Sequence, residues 1–276
     1  MKLKIDLAGV SRTLMMPLAG RYIISKANPK LFYDAKSVEL VKSLDYDFAP
    51  IIKQYSDPYT KYVFCARSMF YEHIINSEIT KHGRLVVVDL GAGLDTTYYR
   101  LNNKDVTWVN LDLDNVIALR NQIFAAEAVD ANIHNISASI FDSGWYDKVT
   151  CLGDHILFIS AGVLSYFPNA QVKQFMLDLK NSFPRSQLLF DYNTSKINHY
   201  ANQAIQKSGF NDALMKLAID SKTDLQDLLS NNTNFKRYSY YSALTKNRAL
   251  SISERIQLKI SELLFVKSGY VLVSFL

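Results

Sequence analysis

Cysteine is almost missing from this chain of 276 residues, which holds only Cys65 and Cys151, both beside apolar residues and without a Cys-x-x-Cys spacing. A disulfide framework is excluded, and two buried free thiols in a reducing compartment are expected. No cluster of histidine, cysteine and carboxylate residues has metal-ligand spacing, so no metal is expected. No apolar run approaches the length of a membrane span, and no membrane partner is expected. Lys2 and Lys4 precede apolar residues, but Asp6, Arg12 and Pro17 interrupt every candidate signal-peptide core and no A-x-A-like cleavage site follows. A cytoplasmic protein is the expectation. A basic block is also missing: 31 Lys and Arg are interspersed with 26 Asp and Glu for a net charge of +5, which argues against a nucleic-acid partner. There is no internal repeat or low-complexity segment. The length fits one large α/β domain with additions, and 49% apolar residues supports a substantial core.

What the chain does contain centres on residues 84–100. Leu85 to Val88 is an apolar run that leads through Asp89 and Leu90 into Gly91-Ala92-Gly93-Leu94-Asp95-Thr96. This reads as a buried parallel strand feeding a turn and a helix, at the carboxyl edge of a sheet where ligands bind. A dinucleotide fingerprint needs a third small residue for close helix packing and an open helix N-terminus for its pyrophosphate. Here Thr96 takes that place and Asp95 precedes it. A carboxylate repels phosphate and suits a cation, so Asp89-x-Gly91-x-Gly93-x-Asp95 favours S-adenosylmethionine; a glycine bend in an unrelated α/β protein is the plain alternative.

Helical spacing covers Ser11 to Lys42, with a break at Pro29, and again Asp57 to about Thr80. Arg67 lies beside the apolar face of the second stretch; on spacing alone it is a solvated side chain, and functionally a guanidinium for the cofactor's carboxylate. A second strand, Val106 to Leu113, places Asp112 where a carboxylate holds a ribose diol, with Leu113 beside it. Asp114 opens the helical run from Val116 to Ala128 and is expected to cap it. A third strand, Asn132 to Ile140, brings Ser139 and Ile140 to the place where an adenine ring edge is met. Trp145 either walls that pocket or packs a helix on the sheet. His155 to Leu164 is a fourth strand running into Ala161-Gly162, followed by Ser165-Tyr166-Phe167 at the expected place of methyl transfer. Helix Val172–Phe183 and a fifth strand, Ser186 to Asp191, complete a β-α alternation that implies a parallel sheet with right-handed crossovers. From Thr194 to Asn234 the chain is polar and helical, with His199, Tyr200, Phe210 and Met215 and no evident strand, which suggests a substrate lid or a peripheral bundle. Gly269 to Leu276 would return as a closing strand.

With those motifs placed, the chain resembles the leucine carboxyl methyltransferase superfamily, in its bacterial branch related to polyketide O-methyltransferases. The resemblance rests on Ala66-Arg67-Ser68, on Val88 to Thr96, on Leu111 to Ile117, on Ala161 to Phe167 and on Phe190-Asp191, with Thr13, Pro17-Leu18, Arg21 and Asp34-Ala35 also similar. It covers roughly residues 10 to 195, and its Leu-Gly-Ala-Gly-Leu-Asp-Thr string is far more specific than a bare glycine motif. It implies a Rossmann-like class I methyltransferase fold, an α/β, mostly parallel, doubly wound sheet with an N-terminal helical cap. One domain is expected, with the cap at 1–82, a cofactor core at 83–192 and, from the residue pattern alone, a helical lid at 193–235 and closing strands at 236–276. It also raises Arg67 to a carboxylate clamp. Two departures stand out: Thr97 where the family often has arginine, and Ala161 where many members have glutamate.

The expected cofactor is S-adenosylmethionine, with S-adenosylhomocysteine as product, held by Arg67, Asp89, Gly91, Gly93, Asp95, Asp112, Leu113, Ser139, Ile140, Ala161 and Gly162. The expected partner is a small-molecule acceptor offering a carboxylate or hydroxyl oxygen, such as a polyketide-like metabolite. Tyr166 is the candidate for orienting it, or else an aromatic between sheet and lid. A carboxylate acceptor needs no base; a hydroxyl would benefit from one, and among His73, His82, His134, His155 and His199 only His199 lies in the expected lid. Three other activities remain open: a protein carboxyl methyltransferase, a nicotinamide-dependent oxidoreductase disfavoured by Asp95 and Thr96, and a catalytically silent cofactor-binding protein.

Overall fold

A computed structural model of the chain describes residues 3–5, 13–57, 60–103, 105–207, 213–229, 233–241, 243–264 and 268–275. Lys2, Asp6, Ser11, Arg12, Phe210 and Leu276, named above, lie outside the described residues. In chain order, β1 (Leu3–Lys4) precedes α1 (Met15–Ala27), whose Pro17 stands in the first turn, where no intrahelical donor is lost. α2 (Ala35–Ser43) is capped by Asp34, whose carboxylate accepts from the Ser37 amide. β2 (Leu44–Asp45) and α3 (Ala49–Gln54) follow, and then α4 (Val63–His82), which ends at Gly83 in the left-handed region with φ 72°. β3 (Leu85–Leu90) leads through the glycine turn into the single-turn α5 (Thr97–Arg100). β4 (Val106–Asp112), α6 (Asp114–Ile123) and β5 (Ile133–Ser137) come next, then α7 (Tyr146–Thr150), β6 (Ile156–Ser160) and α8 (Asn169–Ser182). The chain continues through β7 (Gln187–Tyr192), α9 (Ser195–Lys207), α10 (Lys222–Leu229), β8 (Thr233–Ser239), α11 (Ile252–Leu264) and β9 (Gly269–Phe275).

The chain clusters into two compact units. The first gathers Met1–Ile74, Leu94–Asn102 and Tyr240–Val266, around a core that includes Ile24, Phe32, Cys65, Leu244 and Leu258. The second gathers Ile75–Gly93, Asn103–Ser239 and Lys267–Leu276 and holds one seven-stranded sheet. Its order is β5-β4-β3-β6-β7-β9-β8, with β3 to β7 parallel and β9 antiparallel to both β7 and β8. Every residue of β3 and β6 is buried, as expected of strands covered on both faces. From β3 the chain winds outward through β4 and β5, then returns to place β6 on the other side of β3. The switch point between β3 and β6 is where such a sheet opens a crevice at its carboxyl edge.

Four details differ from the sequence reading. The 193–235 stretch contains the start of a strand, since β8 begins at Thr233, and 236–276 contains α11 between its strands. In both places the segment's polar or amphipathic pattern gives way to its pairing with β9 or its packing on the first core. Asp114 is the first helical residue of α6, and Leu113 takes the cap position; the helix starts two residues before its first apolar residue, so the carboxylate sits inside the positive first turn. Cys65 is buried as expected, but Cys151 is exposed, just beyond the short α7.

Candidate functional site

Within the second unit, β3 delivers Asp89, 2% exposed, and then the turn. Gly91 has φ 74°, and a Cβ there would meet Val163 Cγ2 at 2.5 Å, because the loop after β6 closes over β3 at the switch point. The turn's donors are already committed: the Gly91 and Ala92 amides donate to the Leu111 carbonyl (2.7 and 3.2 Å). The Gly93 amide donates to Asp112 Oδ2 at 2.8 Å. In residues 94–102, which belong to the first unit, the Thr97 amide at the start of α5 donates to Asp95 Oδ1 at 2.6 Å. A pyrophosphate needs free amides at a helix N-terminus, and here they meet a carbonyl and two carboxylates. This donor set does not fit a dinucleotide and does fit a nucleoside cofactor without phosphate.

Asp112 ends β4, and its Oδ1 accepts from the Leu113 amide at 2.7 Å. Each carboxylate oxygen thus spends one lone pair on the backbone and keeps another for a hydroxyl. Burial pushes the Asp112 carboxyl above its ordinary value, against the two amides and the charge of Arg120, which favour the ionised form. Leu113 is 50% exposed next to it, an apolar surface beside the acid expected to hold the diol. Sequence reasoning overlooked Arg120 and Glu127, which stand behind this turn. Arg120 lies four residues after Val116 on the buried face of α6, and a charge at a position of the apolar stripe was the available signal.

At the end of β5, the Ser139 hydroxyl accepts from the Phe141 amide (3.3 Å), and Ile140 is buried. Ala161 and Gly162 follow β6, half-buried, with Gly162 at φ 76° and its amide donating to Asp191 Oδ1 at 2.6 Å. Asp191, from β7, was seen in sequence only as part of a motif; here its carboxylate ties the ends of β6 and β7 together. Tyr166 closes the one-turn 3-10 segment Leu164–Tyr166 and packs with Ile205, Ala213, Leu214 and Met215. It therefore stands between the sheet's carboxyl edge and the expected lid. Trp145 is fully buried and stacks on Phe183 with centroids 5.8 Å apart, so it packs the core and does not wall a pocket. His199 is exposed on α9, with its ring nitrogen 3.1 Å from Gln203 Nε2. His82 and His155 stack at 4.3 Å near the opposite, amino edge of β6.

In the first unit, the half-buried Arg67 holds its guanidinium over the Phe64 ring, 5.4 Å from its centroid. Asp34 organises a buried network there. It accepts from Arg21 Nε (2.9 Å), Arg100 Nη1 (2.8 Å), Ser37 Oγ (2.5 Å) and Thr96 Oγ1 (2.6 Å). Arg21 Nη2 reaches the Leu94 carbonyl at 2.8 Å, and Arg100 Nε meets Glu72 at 2.5 Å. Burial alone would raise the Asp34 carboxyl, but the two guanidiniums and the hydroxyls hold it down at about 2. The same two arginines lie in the field of Asp95. Arg100, one turn beyond Thr97, supplies a cation near the position where the resembling proteins often carry arginine.

The sequence profile of leucine carboxyl methyltransferases matches residues 15–179. The tetracenomycin polyketide synthesis O-methyltransferase TcmP of Streptomyces glaucescens is 27% identical over 188 residues, which is 68% of this chain and 67% of that protein. Among solved structures, a DUF574-family protein from Streptomyces avermitilis superposes with a TM-score of 0.58 at 11% identity, covering 83% of this chain and 92% of that one. A methyltransferase-like protein from Thermobifida fusca gives 0.56 at 12% identity, covering 93% of each. At such identities the two structures speak for the fold alone.

Proposed function

Because the chain belongs to the leucine carboxyl methyltransferase family, it is an S-adenosylmethionine-dependent methyltransferase, and we propose that it methylates a carboxylate or hydroxyl oxygen of a small molecule. The observation that carries the cofactor site is Asp112, braced by the Gly93 and Leu113 amides while Asp95 occupies the start of α5. The cofactor supplies a methyl group on a positively charged sulfur. The remaining task of the chain is to bind, align and exclude water, and alignment alone can lower a barrier by about 7–11 kcal/mol. Asp112 accepts the ribose hydroxyls, Leu113 covers the nucleoside, and Ser139 and Ile140 meet the adenine. Arg67 offers the methionyl carboxylate a planar fork, and Asp89, Gly91, Gly93, Asp95, Ala161 and Gly162 complete the set of cofactor residues. Tyr166 orients the acceptor oxygen. A polyketide-like acceptor is supported by the likeness to TcmP. Within that class a carboxylate is favoured, since the expected lid's only histidine, His199, is exposed and engaged with Gln203.

Calorimetric titration with S-adenosylmethionine, S-adenosylhomocysteine and NADH tests the cofactor. Both adenosyl compounds should bind, and Asp112→Asn should weaken them at least about tenfold, since hydrogen bonds to a charged group contribute about 1.5–3 kcal/mol each. Preference for NADH would overturn the site. Incubation with labelled cofactor and polyketide acids should yield a base-labile methyl ester; a base-stable ether would move the acceptor to a hydroxyl.

A further inference from the structure

Arg120 is not one of the residues assigned to the cofactor, yet it is 1% exposed, a charged side chain among the largest that are fully buried. Its Nε and Nη2 form a two-pronged pair with Glu127 Oε2 (2.9 Å) and Oε1 (2.6 Å). Its guanidinium lies over the Phe124 ring, 4.8 Å from the centroid. Glu127 is steadied in turn by Asn135 (3.2 Å), which Asn110 bonds at 2.8 Å from the neighbouring strand. The third nitrogen, Nη1, reaches out of this cluster to the Gly93 carbonyl at 3.1 Å. Gly93 is therefore held on both sides: its amide by Asp112 and its carbonyl by Arg120.

A buried ion pair is a weak source of stability, because desolvation cancels most of the attraction. A guanidinium that spends two prongs on its carboxylate and aims the third at the cofactor turn has a more specific use. We propose that Arg120 is a positioning residue of the cofactor site, fixing the Gly93 turn and, through it and its own charge, the Asp112 carboxylate that receives the ribose. This rests on the reading of Asp112 above. Arg120 from α6 acts on Asp112 through its charge, Glu127 is paired with Arg120, and Asp114, from the first turn of the same helix, accepts from Ser137 of β5. Only Arg120 among them acts to keep Asp112 ionised, against the burial that raises its carboxyl. Lysine could keep the charge but not the three-way geometry.

The test is S-adenosylhomocysteine affinity measured from acid to neutral pH in the full chain, for the wild type, Arg120→Gln, Arg120→Lys and Glu127→Gln, each checked by thermal melting. Ionised Asp112 binds the diol, so affinity must fall as pH drops through its titration. Arg120→Gln should bind about tenfold more weakly at neutral pH, the change that about 1.4 kcal/mol of lost interaction gives, and its acid fall-off should move to higher pH. Arg120→Lys should lose affinity while keeping the wild-type fall-off. Glu127→Gln, which removes the counter-charge, should move the fall-off to lower pH. Unchanged affinity in Arg120→Gln, or weaker binding with an unmoved fall-off, would reduce Arg120 to a packing residue and overturn the proposal. If Arg120→Gln does not fold, an unmoved fall-off in Glu127→Gln overturns it equally. A wild type that does not bind S-adenosylhomocysteine would instead defeat the cofactor assignment itself.

Discussion

At Gly91 a left-handed backbone (φ 74°) coincides with a side chain, Val163, that leaves no room for a Cβ. The left-handed region costs an ordinary residue about 1–2 kcal/mol, and overpacking costs about 1–3 more. Gly91→Ala should therefore destabilise the protein by about 2–5 kcal/mol in denaturant unfolding. Adding Val163→Ala should restore only the steric part; full restoration would mean the backbone conformation carries no strain. Asp34 makes a second residue-scale case. Its carboxyl is held at about 2 in the folded chain, below the ordinary value near 4, so its contribution is present above about pH 4 and is lost as pH falls towards 2. That amounts to about 2–3 kcal/mol. Asp34→Asn should flatten the acid limb of the stability profile in that window, read by circular dichroism, whereas a limb of wild-type steepness would assign acid unfolding to other groups.

Among the elements, the expected lid shows how a segment without regular structure can be held in place. Between α9 and α10, residues 213–220 run without helix or strand, and side-chain amides take the place of a neighbouring strand. Asn202 both accepts from the Met215 amide (2.7 Å) and donates to its carbonyl (3.0 Å), while Asn198 donates to the Leu217 carbonyl at 2.7 Å. The Ser165 carbonyl, one residue before Tyr166, accepts from the Lys216 and Leu217 amides at 2.7 and 3.1 Å. This strap is tied to the loop that carries Tyr166. Opening it should require less than global unfolding. Asn202→Ala should speed amide exchange at Met215 and its neighbours while leaving the melting temperature within about 2 °C, since surface losses are small. Equal acceleration throughout the sheet would show that the strap is part of the main cooperative unit.

For the whole molecule, a cofactor that binds only the folded state stabilises it by about 2.7 kcal/mol at a concentration of 100 times its dissociation constant. For a chain of this size that corresponds to a rise in melting temperature of about 5–10 °C with S-adenosylhomocysteine. Of the residues proposed for the cofactor, Asp89, Gly91, Gly93, Asp112, Leu113, Ser139, Ile140, Ala161 and Gly162 belong to the unit that holds the seven-stranded sheet. If the two units melt separately, two transitions should appear, and the one belonging to the sheet should move; a shift confined to the other transition would count against the placement of the site.

The strands and the turn were legible because they are written in local pattern: Leu85 to Leu90 is apolar throughout, and the glycines and Asp112 follow at fixed distances along one β-α-β unit. Period, turn chemistry and spacing along the chain do not need a fold to be read. The parts that were not legible depend on groups far apart in sequence. Arg120 with Gly93, Asp191 with Gly162, and Asp34 with Arg21, Thr96 and Arg100 meet only when the chain has closed on itself. A lone arginine or aspartate has the same local signature whether it is solvated or buried and paired. The start of β8, which pairs with β9, was equally invisible, since an alternating, half-polar stretch becomes a strand only when another strand offers its edge. The sequence by itself thus determined most of the sheet, the glycine turn and the family, through short-range pattern. Only the tertiary structure decided which charges are buried, what braces the turn and what ties down residues 213–220, because those depend on long-range pairing in a medium of low dielectric.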